Sequence, residues 1–154
     1  MIERVRAILI TPDGRMLAVR RDRPGRKRYW VLPGGHVDPD DRDIEAALSR
    51  EIREEIAGDP EIVSVLYVLE APDERQYFYL ARISSWSFAD RTGPEFAEAG
   101  RGSYALDKIL LTADGLSAID LQPSQIADLL REAVGSGRDL FTMPDLRSVL
   151  APPS

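Results

Sequence analysis

The sequence predicts an α/β fold, and three observations lead to that prediction. Short apolar runs rich in β-branched and aromatic residues recur along the chain. Two segments, 43–57 and 124–134, instead repeat their apolar residues at helical spacing. The length of 154 residues, with 44% hydrophobic and 30% charged residues, suits one domain with its own core. We therefore expect a single domain over residues 1–150 and a frayed tail at 151–154.

The strand-like runs predict two hairpins. The first joins Arg4–Thr11 to Met16–Arg20 across a Pro-Asp-Gly turn signal. The second joins Glu61–Leu69 to Gln76–Ile83. The remaining expectations are a loop at 84–103 and two short strands at Tyr104–Thr112 and Leu116–Leu121.

The segment 43–58, DIEAALSREIREEIAG, predicts an amphipathic helix with acids in unusual places. Asp43 suits the N-cap position, because its carboxylate can accept hydrogen bonds from the free amides of the first turn. At about 100° per residue, Glu51 and Glu55 fall at the edge of the apolar stripe, and Glu54 lies on the same flank. The stripe consists of residues that recur every fourth position: Ile44, Leu48, Ile52 and Ile56.

These carboxylates predict a metal site. A solvated helix laced with Glu–Arg pairs is the alternative, but it would place its acids opposite the apolar face. Glu51 and Glu55 are instead directed toward the protein, where a carboxylate is costly unless it is paired or bound to a cation. Oxygen ligands without nitrogen or sulfur partners are typical of Mg²⁺ or Mn²⁺.

A basic segment and a glycine pair precede this helix. Residues 20–28 contain six basic side chains and one acidic side chain, Asp22. This segment is either a solvated loop or a phosphate-binding surface. Pro33-Gly34-Gly35 predicts a sharp turn that lets the backbone approach a ligand. Cations and an aromatic pair next to an acidic site suit a Mg²⁺-bound diphosphate or triphosphate on a base.

Composition excludes several other classes of protein. The chain has no cysteine and one histidine, His36, which excludes disulfides, thiol catalysis and sites with several histidines. The net charge of −6 argues against a general nucleic-acid binder. The longest apolar run, Ile62–Leu69, is too short to span a bilayer, and the N-terminus has no signal-peptide core. We expect a cytoplasmic protein with no membrane partner.

The residues LPGGHVDPDD followed by DIEAALSREIREEIAG resemble the box of Nudix hydrolases of the MutT-like kind. That pattern is G-x5-E-x7-R-E-U-x-E-E-x-G-U, with U a bulky aliphatic residue. Asp41 stands where the first Glu belongs, with one extra residue before Arg50, and Ala57 replaces the late glycine. We expect the helix to be one residue longer and to stop at Gly58. The matching positions are Gly35, Arg50, Glu51, Ile52, Glu54 and Glu55.

The resemblance implies an α/β/α sandwich with a mixed β-sheet and a set of roles for these residues. Glu51, Glu54 and Glu55 would hold one to three divalent ions, with Mg²⁺ expected and Mn²⁺ as the alternative. The Gly35 carbonyl would add a metal ligand, and Arg50 would orient the acids. Glu54 is the first candidate for the general base, with Glu95 or Glu98 as substitutes. The residues expected to contact substrate phosphate are Arg21, Lys27 and Arg28.

The resemblance also implies an activity. We expect hydrolysis of a diphosphate bond in a nucleoside di- or triphosphate-type substrate, damaged nucleotides included, by a monomer or homodimer. Dinucleoside polyphosphates and ADP-ribose-type compounds are the alternative substrates. ADP-ribose is disfavoured because the chain lacks an additional N-terminal segment. A non-catalytic nucleotide-sensing module is the rival from another class, and the intact acids count against it.

Overall fold

In the computed structural model, which describes residues 1–92 and 102–150, the strands form one mixed sheet between helices. The chain begins with β1 (Ile2–Ile10), β2 (Met16–Asp22), β3 (Tyr29–Val31), β4 (Gly34–His36) and α1 (Ile44–Ile56). It continues with β5 (Glu61–Ala71), β6 (Glu74–Arg82), β7 (Ser103–Ile109) and α2 (Ala113–Ser117), and ends with β8 (Leu121–Gln122), α3 (Ser124–Gly135) and α4 (Arg147–Leu150).

The order of the strands opens a gap in the middle of the sheet. The main path is β5-β6-β1-β2-β3-β8, with β4 paired to β1 and β7 paired to β2. β1 runs parallel to β6 along its whole length but pairs with β2 only at Leu9–Leu17 and Ile10–Met16. Beyond these pairs, β4 takes the place beside β1 and β3 takes the place beside β2. The two central strands therefore diverge, and a cleft forms where they separate.

Alternation along β1 divides the core between the two faces of the sheet. Val5, Ala7 and Leu9 pack with the buried stripe of α1. Ile8 and Ile10 lie in the other cluster, together with the buried residues of α3. The layers are thus helix, sheet and helix, which confirms the expected α/β/α sandwich with a mixed sheet.

The helix α1 begins as the sequence predicts but ends one residue earlier than expected. The Asp43 carboxylate accepts from the Ala46 amide at 2.7 Å. At the other end, Ala57 and not Gly58 is left-handed, with φ 48° and ψ 40°. The Ala57 amide donates to the Arg53 carbonyl at 3.0 Å and so closes the last turn. At Gly58, an added Cβ would lie 2.6 Å from Cδ1 of Ile83, so the end of that side chain would have to move.

The segment after β6 completes the C-terminal end of α1. The Ser87 amide donates to the Ile56 carbonyl at 2.7 Å, and the Thr92 amide donates to the Glu54 carbonyl at 2.7 Å. These bonds satisfy carbonyls that the last turn of a helix leaves without partners. The second hairpin is confirmed as β5 and β6, and the second long helix as α3.

Two local expectations are wrong. Leu116–Leu121 is not a strand, because the Thr112 hydroxyl accepts from the Gly115 amide and starts the short helix α2. Only Leu121–Gln122 remains extended. The predicted turn at Gly34-Gly35 is part of the strand β4. Within 84–92 the chain forms one 3-10 turn, Phe88–Asp90; the rest of the predicted loop, at 93–101, and the tail at 151–154 lie outside the described residues.

A C-terminal strap, residues 145–147, covers the edge strand β5. The Asp145 carboxylate accepts from the Val65 amide at 3.0 Å, and the Leu146 amide donates to the Val65 carbonyl at 3.0 Å. Arg147 donates to the Val63 carbonyl at 2.6 Å and pairs with Asp145 at 2.7 Å. The strap thus occupies backbone groups that an open edge would expose. Within the described part of the chain, the helices are too short or too polar to cross a bilayer.

Candidate active site

A cleft of about 360 Å³ lies where β1 and β2 diverge. β1 contributes Arg4 and Arg6, and β2 contributes Val19 and Arg21. The wall nearest α1 is formed by Glu51 and Glu55 together with the backbone of β4. The cleft therefore brings carboxylates and arginines together, as binding a metal-associated phosphate requires.

Glu51 and Glu55 are both buried, with exposed fractions of only 9% and 8%. Their position confirms the helical phase that the sequence predicts. The Gly34 amide donates to Oε1 of Glu55 at 3.4 Å. At Gly35, an added Cβ would lie 2.5 Å from the carboxylate carbon of Glu51. The absence of a side chain at Gly35 therefore gives the Glu51 carboxylate its space.

Gly34 is glycine for a different reason. Its φ is +149°, and a Cβ there would lie 2.0 Å from the Val5 carbonyl oxygen. That oxygen belongs to the backbone of β1 and cannot move aside. Gly34 thus allows β4 to approach β1, whereas Gly35 makes room for a functional side chain.

Arg50 is the centre of a network of acids. Its Nε and Nη2 donate to the two carboxylate oxygens of Asp41, both at 2.9 Å. Its Nη1 donates to Glu51 at 3.2 Å and to Glu54 at 3.4 Å. These hydrogen bonds hold the pKa of the Asp41 carboxyl below its usual range and raise the pKa of Arg50. Arg50 also donates to the His36 carbonyl at 3.0 Å, so it ties α1 to β4.

The donor set fits a hard divalent cation, although the side chains are not converged on one. Glu51, Glu54 and Glu55 offer carboxylate oxygens alone, which suits Mg²⁺ or Mn²⁺. Within residues 1–92 and 102–150, no group of three acidic or histidine side chains is arranged to hold a metal ion. Glu54 is drawn toward Arg50 and keeps 33% of its side chain exposed, in contrast to Glu51 at 12%. Glu54 is thus the more accessible of these two acids to water.

The predicted phosphate residues lie in two separate places. Arg21 lines the cleft, and its guanidinium carbon lies 4.0 Å from the ring centre of Tyr104. Lys27 instead lines a second hollow, of about 550 Å³, beside Tyr29. Arg28 is exposed, and its Nε donates to the Asp22 carboxylate at 2.6 Å. The structure therefore brings Arg21 close to the acids but not Lys27 or Arg28.

Arg6 is a cleft residue that sequence reasoning missed. Its Nη1 donates to the carbonyls of Leu32 at 3.0 Å and Gly34 at 3.4 Å, and its Nε donates to Gln76 at 3.2 Å. Burial lowers the pKa of Arg6, while the charge of Glu55 opposes that shift. The signal was available in β1, because Arg4 and Arg6 alternate with apolar residues at strand spacing. The candidate bases Glu95 and Glu98 lie outside the described residues.

The chain matches the family model of the NUDIX domain over residues 2–119. A MutT NUDIX hydrolase from Burkholderia pseudomallei is 28% identical, with a TM-score of 0.52 over 82% of this chain and 94% of that one. The ORF135 protein of E. coli is 26% identical, with a TM-score of 0.57 over 91% and 94% of the two chains. No curated protein matches the sequence.

An ADP-ribose pyrophosphatase from Streptococcus suis shares the fold, with a TM-score of 0.61 over 90% of this chain and 93% of that one. At 22% identity, this likeness concerns the fold alone. The family match and the MutT NUDIX hydrolase at 28% identity confirm the expectation of a Nudix hydrolase. The matched residues include the cleft, the glycine pair and the acids of α1, so the chain belongs to the NUDIX domain family.

Proposed function

We propose that this protein is a Mg²⁺-dependent hydrolase that cleaves a diphosphate bond in a nucleoside di- or triphosphate-type substrate. The observation that supports this most strongly is the burial of Glu51 and Glu55 at a glycine-lined cleft that also holds Arg21. Buried acids that repel one another are costly for a protein that only binds a nucleotide. They are useful where a divalent cation must be held against phosphate oxygens.

The residues that would hold the ion are Glu51, Glu54, Glu55 and the Gly35 carbonyl. When bound, a divalent ion supplies positive charge that stabilises the phosphoryl oxygens during displacement. Arg50 donates to both Glu51 and Glu54 and would orient their carboxylates for the ion. Arg50 is itself held by its two hydrogen bonds to Asp41.

Glu54 is the proposed general base. It accepts a proton from a water molecule as the water oxygen forms a bond to phosphorus. The bridging P–O bond breaks, and its electron pair leaves with the departing phosphate. Arg21 receives phosphate oxygens from the β2 side of the cleft. Its planar guanidinium lies over Tyr104, which restricts its orientation.

The test is a screen of nucleotide substrates with Mg²⁺ and with Mn²⁺, with products identified by mass. The compounds include ordinary and oxidised nucleoside triphosphates, a dinucleoside polyphosphate and ADP-ribose. Hydrolysis of a triphosphate that requires the metal supports the proposal. Cleavage of ADP-ribose alone would change the substrate class, and binding without turnover would make the protein a nucleotide sensor.

A second measurement distinguishes the contribution of Arg21, in the cleft, from that of Lys27, in the second hollow. Arg21→Ala should raise the KM for a triphosphate, because a charge-assisted contact to phosphate is lost. Lys27→Ala is the matched control, since Lys27 lies outside the cleft, and its KM should stay near the wild-type value. Added salt should weaken the effect of Arg21 through screening. An equal rise of KM in both variants would mean that phosphates extend to the second hollow.

A further inference from the structure

Arg6 occupies an unusual position in the wall of the cleft. It lies on β1, directly across from Gly34 in the β1–β4 ladder. Its Nε and Nη1 are both engaged, by Gln76 and by the carbonyls of Leu32 and Gly34. A guanidinium is planar, so fixing two of its nitrogens also fixes the direction of the third, Nη2. Arg6 is therefore held rigidly and not as a mobile surface side chain.

The charges of Glu55 and Glu51 act on Arg6 from a distance, without a direct ion pair among the described residues. Among the residues that the structure describes, Arg6 forms no ion pair within 4.0 Å, and its Nη2 donates no hydrogen bond. The nearby Arg4 lines the same cleft but pairs with Glu74. Enclosing a guanidinium costs free energy, and that cost falls further when an anion binds directly beside it.

We propose that Arg6 is a second phosphate-binding residue of the cleft. It binds the substrate from the β1 side, while Arg21 binds it from the β2 side. This inference rests on the proposed function, because that function brings a diphosphate into the cleft. Because β1 and β2 diverge at this point, two arginines on the two strands face a shared ligand from opposite walls. Such an arrangement selects a substrate with at least two adjacent phosphates.

The test measures binding of inorganic pyrophosphate by calorimetry, without metal. In Arg6→Gln the Kd should rise about tenfold or more, since a charge-assisted contact is lost. In Arg6→Lys the rise of the Kd should be smaller, because the positive charge remains but the paired N–H donors of the planar guanidinium are lost. Arg53→Gln is the charge-matched control, because Arg53 is exposed on α1 and does not line the cleft, and its Kd should stay within about twofold of wild type.

A second readout separates ligand binding from a purely structural role. Removing a cation from beside Glu51 and Glu55 should leave Mn²⁺ affinity unchanged or tighter. A collapsed cleft would instead weaken both Mn²⁺ and pyrophosphate. Weaker pyrophosphate with retained Mn²⁺ therefore supports the inference, whereas an unchanged pyrophosphate Kd or loss of both ligands overturns it. If Arg6→Gln does not fold by circular dichroism, the same criteria are applied to Arg6→Lys.

The two proposals fail in different ways. Weaker pyrophosphate binding in Arg6→Gln, from a protein that hydrolyses none of the screened nucleotides, would sustain the phosphate site and remove the proposed function. Metal-dependent turnover with a wild-type pyrophosphate Kd in the variant would do the reverse.

Discussion

Two arginines at different points of the fold each form a network that includes α1, and the networks differ in charge balance. Arg50 lies within 4.0 Å of carboxylates from Asp38, Asp41, Glu51 and Glu54. Arg147 meets Asp145 and Glu45 and also donates to the Val63 carbonyl. The network of Arg50 has an excess of acid beside a cleft, whereas that of Arg147 is closer to balance and lies at a sheet edge.

On the proposed function, we infer that the network of Arg50 serves the reaction and that the network of Arg147 serves the fold. Excess carboxylate costs stability unless a further cation binds, so it is expected where binding is the purpose. A network that also engages backbone groups of an edge strand instead fixes one element against another. We therefore expect changes near Arg50 to affect activity most, and changes near Arg147 to affect stability alone.

The largest effect should come from removing charge at the cleft. Glu54→Gln and Glu55→Gln should each lower kcat by at least ~10², since each removes a metal ligand or a base. The melting temperature without metal should hold or rise, because repulsion between acids is relieved. Glu45→Gln, at the Arg147 network, is the control and should keep full kcat. Near-wild-type turnover in both cleft variants would remove the metal-site assignment.

Gly35→Ala tests whether space, and not charge alone, makes the acidic side functional. The added methyl group would meet the Glu51 carboxylate at 2.5 Å, so the flexible end of Glu51 must move. Displacing a catalytic group by about 1 Å can cost on the order of 10² in rate, and we expect kcat/KM to fall toward that range.

The melting temperature of Gly35→Ala should change little, because a side-chain end and not backbone gives way. Gly135→Ala is the matched control, since a Cβ there meets no atom within 4 Å. A large loss of melting temperature in Gly35→Ala, in place of a loss of activity, would show that the glycine serves only the packing of β4.

The third test compares two arginines of α1. Arg50→Ala should weaken Mn²⁺ binding and lower the free energy of unfolding by about 1–3 kcal/mol, because a partly buried ionic network loses its cation. Arg53 is exposed, and Arg53→Ala should cost less than ~0.5 kcal/mol. Urea unfolding measures both values, and equal costs would contradict the helical phase described for α1.

The smallest effect should be at the strap, where it also depends on pH. The hydrogen bond from Arg147 lowers the pKa of Asp145 to about 2, so its charge stabilises the fold above its ordinary pKa of about 4. That contribution is lost as the pH falls from about 4 to about 2. Because Asp145 is 37% exposed, we discount for solvent and expect Asp145→Asn to cost only about 1 kcal/mol at pH 7.

Urea unfolding at pH 7, 4 and 2 measures the difference in the free energy of unfolding between wild type and Asp145→Asn. The difference should disappear toward the lowest pH, while kcat at pH 7 stays unchanged. If the difference in unfolding free energy is the same at all three pH values, the effect comes from the hydrogen bond that the Val65 amide donates to Asp145 and not from the charge of Asp145.

Periodicity allowed the face of α1 that carries the buried acids to be predicted from sequence. A helix places residues at a known angle, so the burial of Glu51 and Glu55 follows from the positions of Leu48 and Ile52. The local signal failed at Ala57, where a glycine was expected one residue later. There the left-handed residue carries a side chain, and its amide closes the last turn by donating to the Arg53 carbonyl.

The strap and the position of Arg6 were missed for one physical reason, which is contact between residues far apart in the chain. The bond from Arg147 to Val63 spans 84 residues, and the pairing of Arg147 with Glu45 spans 102. The position of Arg6 beside Gly34 depends on β4 pairing with β1, and a short Gly-Gly-His strand has no strand-like sequence. Such pairings form only in the packed fold, and no local sequence pattern contains them.

The divergence of β1 and β2 has a consequence for how this protein can change its substrates. Arg21, Val31 and Tyr104 line the cleft, yet none belongs to either hydrophobic cluster that holds the sheet to α1 and α3. Replacements at these three positions can accumulate without removing a contact of those clusters. A combinatorial library limited to them should yield folded variants with new substrate preferences, and natural divergence can follow the same route.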